Sequence, residues 1–203
     1  MDKKLKNSQE VLLKVYDDYF CQLADKDMEQ VCLHSGSRLN NGIIEVSFFN
    51  DEYLVDIEEK IIKKKKDQKI TDPYTSSIIL HYLLNASGAA LSGNWIAYRQ
   101  LPGGLFYART IDAELKPLAD IFGKDPGSFF EKAKRLGAKR SEEFENGVIM
   151  DCFKKVPLLV IIYPEDAEFG SEAKILFDSS IPGYLKTDIV KLVILYTVKL
   201  FTR

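Results

Sequence analysis

A chain of 203 residues, 46% hydrophobic and 29% charged, is long enough to bury a sizeable core and too apolar to stay disordered. Its 28 Lys and Arg against 30 Asp and Glu leave a net charge of −2, without the basic excess that nucleic-acid binding normally shows. The three cysteines, Cys21, Cys32 and Cys152, are odd in number and lack C-x-x-C spacing, so neither a disulfide framework nor a thiolate metal cage is expected. Reduced thiols in a cytoplasmic protein are the reading.

The basic start, Met1 to Lys6, is followed by amphipathic rather than continuously apolar sequence and does not read as a signal peptide. Val11, Leu12, Val15, Tyr19 and Leu23 line one face of a helix that begins after Ser8 and runs to about Ala24. Asp25-Lys26-Asp27 breaks it, and Met28, Val31 and Cys32 mark a second short helix ending near Gly36. Asn40-Asn41-Gly42 is a turn. Strands are predicted at Ile43 to Phe49 and Tyr53 to Ile57, joined by Asn50-Asp51. One more is expected within Lys60 to Lys69, a stretch with six lysines that reads as solvated.

Thr71-Asp72-Pro73 starts a helix with a capping residue and a first-turn proline. This helix continues through Ile78, Ile79, Tyr82 and Leu83 and stops before Gly88. Trp95 to Arg99 is predicted as a short strand. Pro102-Gly103-Gly104 suits a tight turn with positive φ at a glycine. Helices follow at Leu115–Phe122 and Ser128–Leu136, with Gly123 and Gly137 as stops. Val148–Phe153 and Pro157–Tyr163 form an antiparallel pair, Ala173–Phe177 is another strand, and Thr187 caps a last helix from Asp188 to about Phe201. That last apolar run carries Lys191 and Lys199 and is shorter than the roughly 20 residues of a bilayer span, so no membrane segment is expected. Without a βαβ rhythm, a repeat or a flexible linker, the expectation is one α+β domain over residues 1–203, with a mixed or antiparallel sheet, packed helices and a C-terminal helix.

No P-loop, dinucleotide fingerprint, nucleophile elbow or zincin helix is present. Four local concentrations of chemistry remain. His81, beside Tyr82, is either a ligand or base, or a packed structural histidine, with no second histidine within helical reach. In a strand, Trp95, Ala97 and Arg99 share one face, setting an indole beside a guanidinium; Tyr98 faces the other way. That face suits a planar or anionic ligand, or else a core strand whose arginine fixes the next turn. Glu165, Asp166 and Glu168 are either an acidic turn in water or a group that binds a hard divalent cation or does acid–base work. Asp178 either caps the Ser179-Ser180-Ile181-Pro182 turn or points into a cleft.

Leu80 to Leu84, Gly93 to Tyr107, Asp166 to Phe169 and Ala173 to Asp178 resemble, in order and spacing, a bacterial and archaeal domain of unknown function, number 3786 in that series. The resemblance covers about residues 40–200. It implies no established activity, but it implies an anaerobic setting and a loose description as redox-related. Some longer members carry a cysteine-rich iron–sulfur module resembling that of corrinoid iron–sulfur proteins. This chain has only Cys21 and Cys32 in its N-terminal part and no cluster motif, so that role has no ligands here. His81, Trp95, Arg99, Tyr107, Asp166, Glu168 and Asp178 coincide with the family pattern.

The leading expectation is a cytoplasmic small-molecule- or cofactor-binding accessory domain in anaerobic redox or one-carbon metabolism. Trp95, Tyr98 and Tyr107 would meet a planar ligand, Arg99 its anionic group, and His81 the metal of a corrinoid or haem. The cofactor itself is unknown, and a redox or corrinoid protein is the candidate partner. Two alternatives stand beside it: an enzyme using His81 with Asp166 and Glu168, and a non-catalytic protein-interaction domain.

Overall fold

The computed structural model describes residues 16–203, and the predicted N-terminal helix lies partly outside them. The described residues fall into two compact units, one of residues 16–89 with Gly183–Leu185, the other Ala90–Pro182 with Lys186–Arg203. Each holds an antiparallel sheet and helices, an α+β arrangement. No helix among the described residues is long and apolar enough to cross a membrane.

In the first unit, α1 (residues 16–24) ends at the expected break, where Asp27 caps α2 (Met28–Ser35) by accepting from the Glu29 and Gln30 amides. Gly36, at φ +68°, stops it. A four-stranded meander follows: β1 (Arg38–Asn40), β2 (Ile43–Phe48), β3 (Asp51–Asp56) and β4 (Ile61–Lys64). Asn41 and Gly42, both at positive φ, make the two-residue turn between β1 and β2. Register places Ile44 opposite Val55 and Val55 opposite Ile62, and all three are buried on the inner face. The lysine run is less free than its composition suggests. Lys64 pairs with Asp51 of the adjacent β3 at 2.6 Å, and Lys65, just past the end of β4, pairs with Glu45 of β2 at 2.8 Å.

Helix α3 (Pro73–Asn85) begins as predicted, with Asp72 accepting from the Tyr74 and Thr75 amides. Every residue from Thr75 to Leu83 is buried, so this helix is the centre of its unit. The Tyr82 hydroxyl donates to the Ser35 carbonyl at 2.6 Å, and the Tyr184 hydroxyl donates to the carbonyl of Ala89.

The second unit is built on a five-stranded sheet. Its strands are β5 (Trp95–Ala97), β6 (Lys139–Arg140), β7 (Gly147–Phe153), β8 (Val156–Tyr163) and β9 (Glu172–Asp178), in the order β5-β9-β8-β7-β6. The central β8 is a nearly continuous apolar run buried on both faces, with Leu158 to Ile162 all sequestered. Helices α4 (Ala108–Phe122), α5 (Pro126–Arg135) and α6 (Thr187–Thr202) complete the unit. Phe122, Phe129 and Phe201, one from each helix, meet with ring centres 5.4 to 6.2 Å apart.

Three local expectations need correction. Helix α4 begins at Ala108, seven residues before the expected start at Leu115, because the 3-10 turn Gly104–Tyr107 leads directly into it. The strand at Trp95 ends at Ala97, and Tyr98–Gln100 turns into a 3-10 helix held by the Ala97 amide donating to Gln100 Oε1 at 2.8 Å. Trp95 and Arg99 therefore do not share a strand face. Thr187 does not cap α6; Lys186 holds that position without a side-chain bond, and the Thr187 hydroxyl donates to the Pro102 carbonyl at 2.8 Å.

Candidate functional site

The segment from Pro102 to Tyr107 is shaped by its two glycines. Gly103 takes φ +74°, the left-handed region that side chains resist. At Gly104 a Cβ would lie 2.0 Å from the Tyr98 carbonyl oxygen, so only glycine lets the chain cross the 3-10 turn there. The Gly104 amide donates to the Leu101 carbonyl at 2.8 Å, and the Thr187 hydroxyl holds Pro102 from the other side. A second 3-10 turn, Gly104–Tyr107, then presents Leu105, Phe106 and Tyr107 to solvent, with Phe106 88% exposed.

Two cavities flank this turn, and Tyr98 lines both. One, of about 400 Å³, is walled by Tyr98, Pro102, Gly103 and Tyr107 with Thr187, Asp188 and Lys191 from the first turns of α6. The other, of about 310 Å³, sets Arg99 with Asp112 of α4 and Glu172 and Lys174 of β9 around an aliphatic floor. Burial pushes the Tyr98 phenol up, and nearby Asp188 and Tyr107 add to the shift.

The sequence candidates are thus distributed. Tyr98 and Tyr107 meet on the larger cavity, while Arg99 belongs to the smaller. Trp95, half-buried on the edge strand β5, pairs in register with Asp178 and lines neither. Asp178 is 4% exposed and accepts four hydrogen bonds: from the Ser92 amide and hydroxyl, the Gly93 amide and the Ser180 amide, at 2.8 to 3.1 Å. Burial alone would raise its pKa, but the bonds from Ser180, Ser92 and Gly93 outweigh burial and lower it to about 2. The Asp166 carboxylate accepts from the Glu168 and Phe169 amides within an exposed turn, and those two bonds hold its pKa below the usual range. Glu168 is exposed in the same turn.

His81 belongs to the first unit, and Asp166 and Glu168 to the second. It is 2% exposed on α3, with the Tyr19 ring edge-on at 6.0 Å. No group of three or more His, Cys, Asp or Glu side chains able to hold a metal occurs among the described residues.

Thr187, Asp188, Lys191, Asp112 and Lys174 are not among the site candidates of the sequence. Four of them lie on predicted elements and Asp112 precedes the predicted helix, and nothing local tells which distant turn a helix face meets.

The family model described as Domain of unknown function (DUF3786) matches residues 27–199. No curated protein and no solved structure matches the chain.

Proposed function

The chain belongs to that domain-of-unknown-function family, and from this premise we propose that it is a cytoplasmic accessory domain that binds a small planar molecule. The observation that carries the reading is the convergence of Tyr98 and Tyr107 on the 400 Å³ cavity, within the size range of ligand sites. Tyr107, 57% exposed, offers a ring face for stacking. Gly103, with no side chain, lets a ligand approach the backbone, and Lys191 supplies a cation for an anionic substituent. The role beside anaerobic redox or one-carbon enzymes, with a redox or corrinoid protein as partner, rests on the family resemblance.

The test is anaerobic purification with an absorption spectrum, followed by thermal melts with flavins and tetrapyrroles. A rise in Tm that Tyr107→Ala abolishes, without lowering the Tm of the free protein, supports the reading. A colourless protein whose Tm responds to neither class overturns it.

The exposed run Leu105, Phe106 and Tyr107 favours a second reading, a non-catalytic interaction domain, because consecutive large apolar side chains in water are uncommon without a partner. Under this reading Phe106→Ser leaves stability unchanged and removes binding to a co-purifying protein; no such protein at cellular concentrations counts against it.

A further inference from the structure

The smaller cavity, beside Arg99, has a charge arrangement of its own. Glu172 and Lys174 neutralise each other at 3.3 Å, and Lys174 also lies 4.7 Å from the Tyr163 ring centre. Arg99 and Asp112, both exposed at the cavity's rim, enter no ion pair among the described residues. Between them the floor is Ala97, Ile111, Leu115 and Leu176.

A free guanidinium and a free carboxylate that face one aliphatic floor without joining each other complement a ligand with both charges. With Glu172 and Lys174 paired to each other, an anion alone would leave Asp112 facing it unmatched, and a cation alone would leave Arg99 so. A nucleotide or polyphosphate is disfavoured on the same ground. We propose that this cavity binds a zwitterion with an aliphatic body, of the chemical class of a branched-chain α-amino acid. The Arg99 fork takes the carboxylate, Asp112 takes the ammonium, and the hydrocarbon lies on Ile111, Leu115 and Leu176. A volume of about 310 Å³ sits at the lower end of ligand cavities and suits a molecule of this size. The proposal does not depend on the planar-ligand reading, because the two cavities share only Tyr98.

The experiment is an amide-resonance NMR titration of the full chain with L-leucine, isovalerate and isopentylamine in parallel. L-leucine is expected to give saturable shifts at Ala97, Ile111, Leu115 and Leu176, with each single-charge analogue binding about tenfold or more weakly. Arg99→Gln and Asp112→Asn are each expected to weaken L-leucine binding by about tenfold, with Tm unchanged because both residues are exposed. Shifts centred on Gly103, Tyr107 and Lys191 would place the ligand in the other cavity and overturn the proposal. No saturable shift at millimolar L-leucine, equal binding of isovalerate, or indifference to both variants overturns it as well.

Discussion

The Gly93 amide donates a 2.8 Å hydrogen bond to Asp178 Oδ2 across 85 residues of chain, joining the loop before β5 to the end of β9. With Ser92 and Ser180 on the other oxygen, this buried carboxylate anchors the approach to Trp95 and to the turn that carries Tyr98. It is an ionised group whose partners are mostly backbone amides, so its loss leaves donors that no nearby side chain replaces.

Asp178→Asn therefore costs about 2 kcal/mol at neutral pH. The folded pKa is lowered from 3.8 to about 2, so the stabilisation is complete above the unfolded value and disappears as pH falls toward about 2. Urea unfolding of both proteins as pH is lowered through that window checks this. Curves that converge in acid are expected, and a constant gap would contradict the assignment.

Gly103→Ala and Gly104→Ala separate backbone strain from collision. At Gly103 nothing lies within 4 Å of a built Cβ, so the cost is that of positive φ, about 1 kcal/mol. At Gly104 the new methyl meets the Tyr98 carbonyl, and a loss of about 3 kcal/mol is expected. Equal Tm values for the two variants would sink the distinction.

Phe129 is fully buried between Phe122 and Phe201. Phe129→Ala is expected to lose about 4 kcal/mol, and Phe129→Leu about 1 kcal/mol. Denaturant midpoints read both, and near-neutral behaviour of the alanine variant would mean that the three helices do not share this core.

Cys21 is exposed, whereas Cys32 and Cys152 are buried and burial pushes both thiols up, Cys152 well above its usual range. A thiol reagent under native conditions is expected to label Cys21 alone, and all three cysteines in denaturant. Labelling of Cys152 at the same rate as Cys21 would show that β7 opens readily.

The elements written in local chemistry were legible. Asp72 and Pro73 announced α3, Asn41 and Gly42 the turn before β2, and the apolar run at Leu158 to Ile162 a strand paired with β7; that Arg38–Asn40 makes that turn a hairpin, and that β8 is central, was not legible. The strand at Trp95 was overextended because its composition continues to Arg99, while the bond from the Ala97 amide to Gln100 and the crossing at Gly104 bend the chain. Neither is visible as periodicity. Thr187 has a capping residue's chemistry, yet its hydroxyl is taken by Pro102, 85 residues away.

The pattern of helix and strand signals along the chain by itself determined the broad class, an α+β protein, because short-range pattern controls which face of each element is buried. Only the tertiary structure decided that Tyr107 keeps company with Tyr98, Asp188 and Lys191, and Arg99 with Asp112 and Lys174. Only it showed that the lysine run and the acidic residues of β2 and β3 answer each other across strands. These relations depend on which distant helix or strand packs against which turn, and that is set by long-range burial and register rather than by any local run of residues.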